Sequence, residues 1–140
     1  MKFEKTRDVK DPLLGSDGAA GYDLRLPNDH ERVVLHPKQS AKIMTGLKVD
    51  IPFGYAGLLL PRSSTGCAGL ALQNTAGLID SDFKMEIQAR IRNWSETEDL
   101  VINPGERFVQ LVVVPVLTDG VEIVDEVEQN GRGGFGSTGK

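Results

Sequence analysis

A chain of 140 residues, 39% apolar and 26% charged, makes a single domain with a core of its own; its net charge of −4 and dispersed lysines and arginines exclude a footprint along polymeric DNA or RNA. The lone cysteine, Cys67, excludes an intrachain disulfide, and two scattered histidines give no cluster for a protein-ligated zinc. No stretch is apolar enough to span a bilayer and residues 1–7 lack the apolar core of a targeting segment, so the chain reads as cytoplasmic, with no membrane partner.

Taken in order, the chain has period two almost everywhere. The turn Pro27-Asn28-Asp29 comes first, and then Ala41, Ile43, Thr45, Leu47 and Val49 alternate with Lys42, Met44, Gly46, Lys48 and Asp50, which reads as one half-buried strand. After Pro52-Phe53-Gly54, residues 55–60 form a nearly continuous apolar run, the mark of a strand covered on both faces. Further on, Ile87, Ala89 and Ile91 alternate with Glu86, Gln88, Arg90 and Arg92, and a second apolar run, 108–116, lies between Asn103-Pro104-Gly105 and Thr118-Asp119-Gly120. Many short strands with Gly/Pro turns and almost no helical periodicity predict an all-β sandwich or jelly roll. The predicted boundaries are a β domain over residues 1–128 and a flexible glycine-rich arm over 129–140.

Three segments carry chemistry. Pro61-Arg62-Ser63-Ser64-Thr65-Gly66-Cys67 follows the first apolar run; its serines can cap a short helix on the surface, or its amides, hydroxyls and guanidinium can bind phosphate. In Gly77-Leu78-Ile79-Asp80-Ser81-Asp82-Phe83, the acids can be ordinary turn residues; alternatively Asp80, held poorly hydrated beside an apolar wall, can draw a proton from water as a general base. The arm holds Arg132 and Phe135 among glycines. It is either a disordered end or a lid in which Phe135 stacks on a flat ring while Arg132, Ser137 and Thr138 grip phosphate oxygens.

Five segments in order resemble the five motifs of the trimeric deoxyuridine triphosphatases (dUTPases): Ala19-Ala20-Gly21-Tyr22-Asp23-Leu24, Pro61-Arg62-Ser63-Ser64, Gly77-Leu78-Ile79-Asp80-Ser81-Asp82-Phe83, Gly105-Glu106-Arg107-Phe108-Val109-Gln110-Leu111, and Arg132-Gly133-Gly134-Phe135-Gly136-Ser137-Thr138-Gly139. The resemblance implies a jelly-roll homotrimer with a mobile C-terminal arm that hydrolyses dUTP to dUMP and pyrophosphate with Mg2+. It makes Asp80 the base for water attack at the α-phosphorus. It assigns phosphate binding to Arg62, Ser63, Ser64 and Gln110, base selection to Asn74, Gly77, Leu78 and Ile79, and the sugar to Phe83. From the arm it takes Arg132, Phe135, Gly136, Ser137 and Thr138. It implies no direct protein ligand to the metal, with Asp23 reaching it through water.

This chain departs from the motifs at Phe83, where the family commonly has tyrosine, at Met85, often glycine, and at Arg132, often placed further upstream. Trp94 reads as a packing residue, Cys67 as a small buried filler, and His30 and His36 as lacking useful partners. A dCTP deaminase of the same fold and a nucleotide-gated regulatory protein with its own partner are the alternatives.

Overall fold

The computed structural model describes residues 1–118 and 120–128. In chain order it runs β1 (Lys2–Lys5), β2 (Leu13–Leu14), β3 (Gly21–Arg25), β4 (Val33–Leu35), β5 (Ser40–Met44), β6 (Leu47–Asp50), β7 (Tyr55–Pro61), α1 (Ser63–Cys67), β8 (Leu70–Leu72), β9 (Gly77–Ile79), β10 (Gln88–Asn93), β11 (Leu100–Ile102) and β12 (Arg107–Pro115). Every ladder among the described residues is antiparallel. Strands β2-β3-β12-β7-β9 make a five-stranded sheet and β5-β10-β8 a three-stranded one, with β1-β6 and β4-β11 as two-stranded ribbons. Leu24, Ile43, Leu59, Ile91, Phe108 and Leu111 are sealed from solvent in one shared core, giving the predicted jelly-roll sandwich. No helix among the described residues is long and apolar enough to cross a membrane.

The stretch expected to be one strand over residues 41–49 is two. Gly46 takes φ of +74°, and a Cβ there would lie 2.8 Å from Arg7 Cγ, so the chain turns at a point that only glycine fits. Strand β5 pairs with β10, and β6 leaves to pair with β1. Alternation survives the turn because Ile43, Leu47 and Val49 all still reach the core, so hydropathy hides the break. At the corner, buried Thr45 donates both its amide (3.0 Å) and its hydroxyl (3.0 Å) to the Ile87 carbonyl.

Strand β12 carries an irregularity that shapes the site. Opposite β3, Arg107 pairs with Arg25 but Val109 with Leu24, so β12 has one extra residue. Phe108 and Val109 are consecutive and both fully buried, which a regular strand with one buried face does not allow. Arg107 is thereby placed on the face of Arg25 and Asp23 instead of the core face of Leu24 and Leu26. The arm of residues 129–140, with Arg132, Phe135, Gly136, Ser137 and Thr138, lies outside the described residues.

Candidate active site

Strand β7 gives way to α1 at Pro61-Arg62, where Arg62 is extended (φ −77°, ψ 156°) and stands at the helix N-cap. Capping falls to Thr65 and not to the serines as expected. Its hydroxyl oxygen accepts from the Arg62 amide (3.2 Å), and the same hydroxyl lies 2.8 Å from the Phe108 carbonyl on β12. Ser63 and Ser64 are left exposed on the outside of the turn. A helix start leaves its first amides without intrahelical partners, so the hydroxyls and amides here are open to a ligand.

Beneath this turn sits Asp23, a carboxylate only 7% exposed. Its Oδ1 accepts from Arg62 Nε at 2.7 Å and its Oδ2 from Arg107 Nη1 at 3.0 Å. Arg62 Nη1 also donates to Ser64 Oγ (3.2 Å), and Gln110 Nε2 donates to the Pro61 carbonyl (2.9 Å). Gly15, Ala19, Ala20, Gly21, Asp23, Arg62, Ser63 and Gln110 line a hollow of about 180 Å³. A Cβ on Gly21 would stand 3.0 Å from Gln110 Oε1, so the glycine keeps that wall clear. Of the predicted phosphate residues, Arg62, Ser63 and Gln110 line the hollow, and Ser64 touches it through Arg62.

A second hollow, of about 250 Å³, is lined by Leu59, Asn74, Gly77, Leu78, Ile79, Phe83, Ile87 and Gln88. It brings together the five residues predicted for base and sugar. The hairpin that frames it is tight: the Thr75 amide donates to the Leu72 carbonyl (3.1 Å) and the Ala76 amide to the Asn74 carbonyl (2.6 Å). Thr75 holds φ of +65°, costly for a β-branched residue, and a Cβ on Gly77 would crowd Leu59 Cβ at 3.1 Å. Met85, at the position often held by glycine, does not take positive φ.

Asp80 stands just past β9. Ile79 turns into the core, and strand alternation sends Asp80 outward, so it is exposed. The expectation of a poorly hydrated carboxylate is therefore not met within one chain. The Phe83 amide closes a turn onto the Asp80 carbonyl (3.1 Å), and Lys84 Nζ donates to the Ser81 carbonyl and to Asp50 Oδ1, each at 2.7 Å. Lys84, by its hydrogen bond and its charge, lowers the Asp50 pKa below the usual carboxylate value.

The two hollows share no lining residue. In the sheet order β3-β12-β7-β9 the strands that carry Asp23 and Ile79 are three steps apart, about 14 Å at ~4.8 Å per step. Among the described residues no three His, Cys, Asp or Glu side chains gather to hold a metal, and both oxygens of Asp23 are engaged by guanidiniums. These donors fit an ion carried in by phosphates and not one caged by protein.

Several residues outside the hollows differ from expectation. Trp94 is not core: it is 56% exposed, with Arg92 over its ring at 4.8 Å and Lys38 at 5.5 Å. Asn93 takes the buried place next to it, donating to the Leu35 and Glu98 carbonyls. Cys67 is exposed, because the short helix α1 buries none of its residues. His36 does have a partner, Asp99, at 2.8 Å, brought there from 63 residues along the chain. Arg107, the second guanidinium on Asp23, has no role in the sequence reading. A positive residue at the start of an apolar run was the only signal of it.

The dUTPase family model matches residues 7–139. The deoxyuridine 5'-triphosphate nucleotidohydrolase of Paraburkholderia phytofirmans is 45% identical over 133 residues, 92% of this chain and 88% of that relative. The enzyme of the same name from Escherichia phage T5 is 43% identical over 147 residues, 99% and 98% of the two chains. Among solved structures, the dUTPase of Staphylococcus bacteriophage 80alpha with dUPNHPP superposes with a TM-score of 0.85 at 29% identity, covering 99% of this chain and 98% of that one. The dUTPase of S. aureus phage phi11, described with a structural Mg(II) ion, gives a TM-score of 0.79 at 27% identity over 91% and 98%.

Proposed function

The chain belongs to the dUTPase family, and from that premise we propose how its residues divide the work. It is a dUTP nucleotidohydrolase, which converts dUTP to dUMP, and magnesium is the cofactor of its family. Asp80 accepts a proton from the water that attacks the α-phosphorus, and pyrophosphate leaves with the electrons of the broken P–O bond. Phosphate oxygens are held by Arg62, Ser63, Ser64 and Gln110. Since Nε of Arg62 is given to Asp23, its Nη groups are the ones turned to substrate. Bound on the triphosphate, magnesium neutralises charge on the phosphate oxygens.

Uracil sits against the hairpin at Asn74, Gly77, Leu78 and Ile79, whose backbone donors and acceptors reject cytosine by leaving buried polar groups unpaired. Phe83 lies against the sugar. Residues 129–140 close over the nucleotide, with Arg132, Ser137 and Thr138 on phosphate, Phe135 on the base and Gly136 allowing close approach. The working form is a homotrimer in the cytoplasm.

The observation that carries this reading is the pair of hollows: one lined by a guanidinium, a serine and an amide, the other by a tight hairpin and an aromatic ring. Their separation across three strands supports a site completed by a neighbouring copy, as does the exposure of Asp80. The test is pyrophosphate release from dUTP and each ordinary deoxynucleoside triphosphate with magnesium. Turnover of dUTP alone is expected; equal turnover of dCTP or dTTP refutes the reading. Ammonia release from dCTP would restore the deaminase alternative, and a pull-down with and without nucleotide tests the regulatory one.

A further inference from the structure

We infer that Arg107 is a positioning residue of the phosphate end, which fixes the Arg62 guanidinium through Asp23 and is aimed there by the bulge in β12. The inference rests on the function proposed above. Extending the Val109↔Leu24 register backwards without a bulge would set Arg107 opposite Leu26, on the core face, where a guanidinium has no partner. The extra residue turns it to the face of Asp23, 84 positions away in sequence.

The geometry there is that of a clamp. Arg62 reaches Asp23 through a single contact, Nε to Oδ1, about which a carboxylate and a guanidinium can both pivot. The second contact, Arg107 Nη1 to Oδ2, fixes the plane of the carboxylate and so the direction of Arg62. Arg25, the neighbour on the same face, gives its Nη1 to the Gly105 carbonyl (2.8 Å) and does not compete. Arg107 does not line the phosphate hollow, so it acts through Asp23 and not on the substrate.

The experiment is a double-mutant cycle on the full chain, with R107Q, R62Q and R62Q/R107Q, alongside R107K. For R107Q, KM for dUTP is expected to rise about tenfold with kcat within about twofold, and R107K to recover most of the loss. On the R62Q background R107Q should add nothing, because the residue it positions is gone. Multiplying effects, an unchanged KM in R107Q, or R107K no better than R107Q would overturn the inference. Should R107Q not fold, Asp23→Asn with a normal melting temperature carries the same expectation: a raised KM that R62Q does not multiply. Calorimetric binding of inorganic pyrophosphate to the same proteins runs the cycle without turnover. Failure of the unmodified chain to hydrolyse dUTP would then sink the proposed function while the cycle still decides the role of Arg107.

Discussion

The phosphate end and the base end of the site are built by different physics. At the first, side chains far apart in sequence meet over a nearly buried carboxylate, and charge-assisted hydrogen bonds at 2.7 and 3.0 Å fix the guanidiniums. At the second, a three-residue edge strand and a turn strained at Thr75 present backbone groups, and the one reactive carboxylate, Asp80, stands in solvent. Charge recognition is prepared inside one chain. Chemistry and base selection depend on what closes over the edge.

Four measurements bear on that contrast. Asp80→Asn should leave the melting temperature unchanged and cut kcat about 1,000-fold, the range of a lost general base; full activity would remove the base end from catalysis. Deleting residues 129–140 should leave folding intact and lower kcat/KM by on the order of 100-fold, as lost orientation and water exclusion do. Unchanged turnover would show that the edge needs no lid. Phe83→Ala should narrow the preference for dUTP over UTP roughly tenfold with little change in stability. A preference that stays intact would move the sugar filter elsewhere.

The smallest effect is expected at the tether of the Asp80 turn. Asp50 has its pKa depressed by Lys84, so this pair stabilises the fold above the unfolded aspartate pKa, and the contribution is lost as pH falls through the lower folded value. Lys84→Ala should therefore differ slightly from the unmodified chain in melting temperature at neutral pH and match it in strong acid. A difference that grows on acidification would contradict the assignment. Because both groups are largely exposed, added salt should shrink the difference, unlike that of the buried Asp23 clamp.

The strands were legible because period two and Gly/Pro turns are local properties, and the base hairpin was legible because residues 74–83 are contiguous. The break at Gly46 was not, since the apolar alternation runs through it undisturbed. Neither was the Asp23–Arg107 contact, which needs both a long-range pairing and a bulge that no hydropathy pattern marks. Trp94 and Cys67 show the same limit from the other side: residue type favoured burial for each, and an adjacent buried Asn93 and a single-turn surface helix decided otherwise.

The clamp has a further effect on the catalytic cycle. Two guanidiniums facing one carboxylate leave a single unit of positive charge, against a triphosphate that brings several negative ones. Such a site draws polyanions in without holding them tightly, and the departing pyrophosphate meets a mild attraction in place of a deep electrostatic trap.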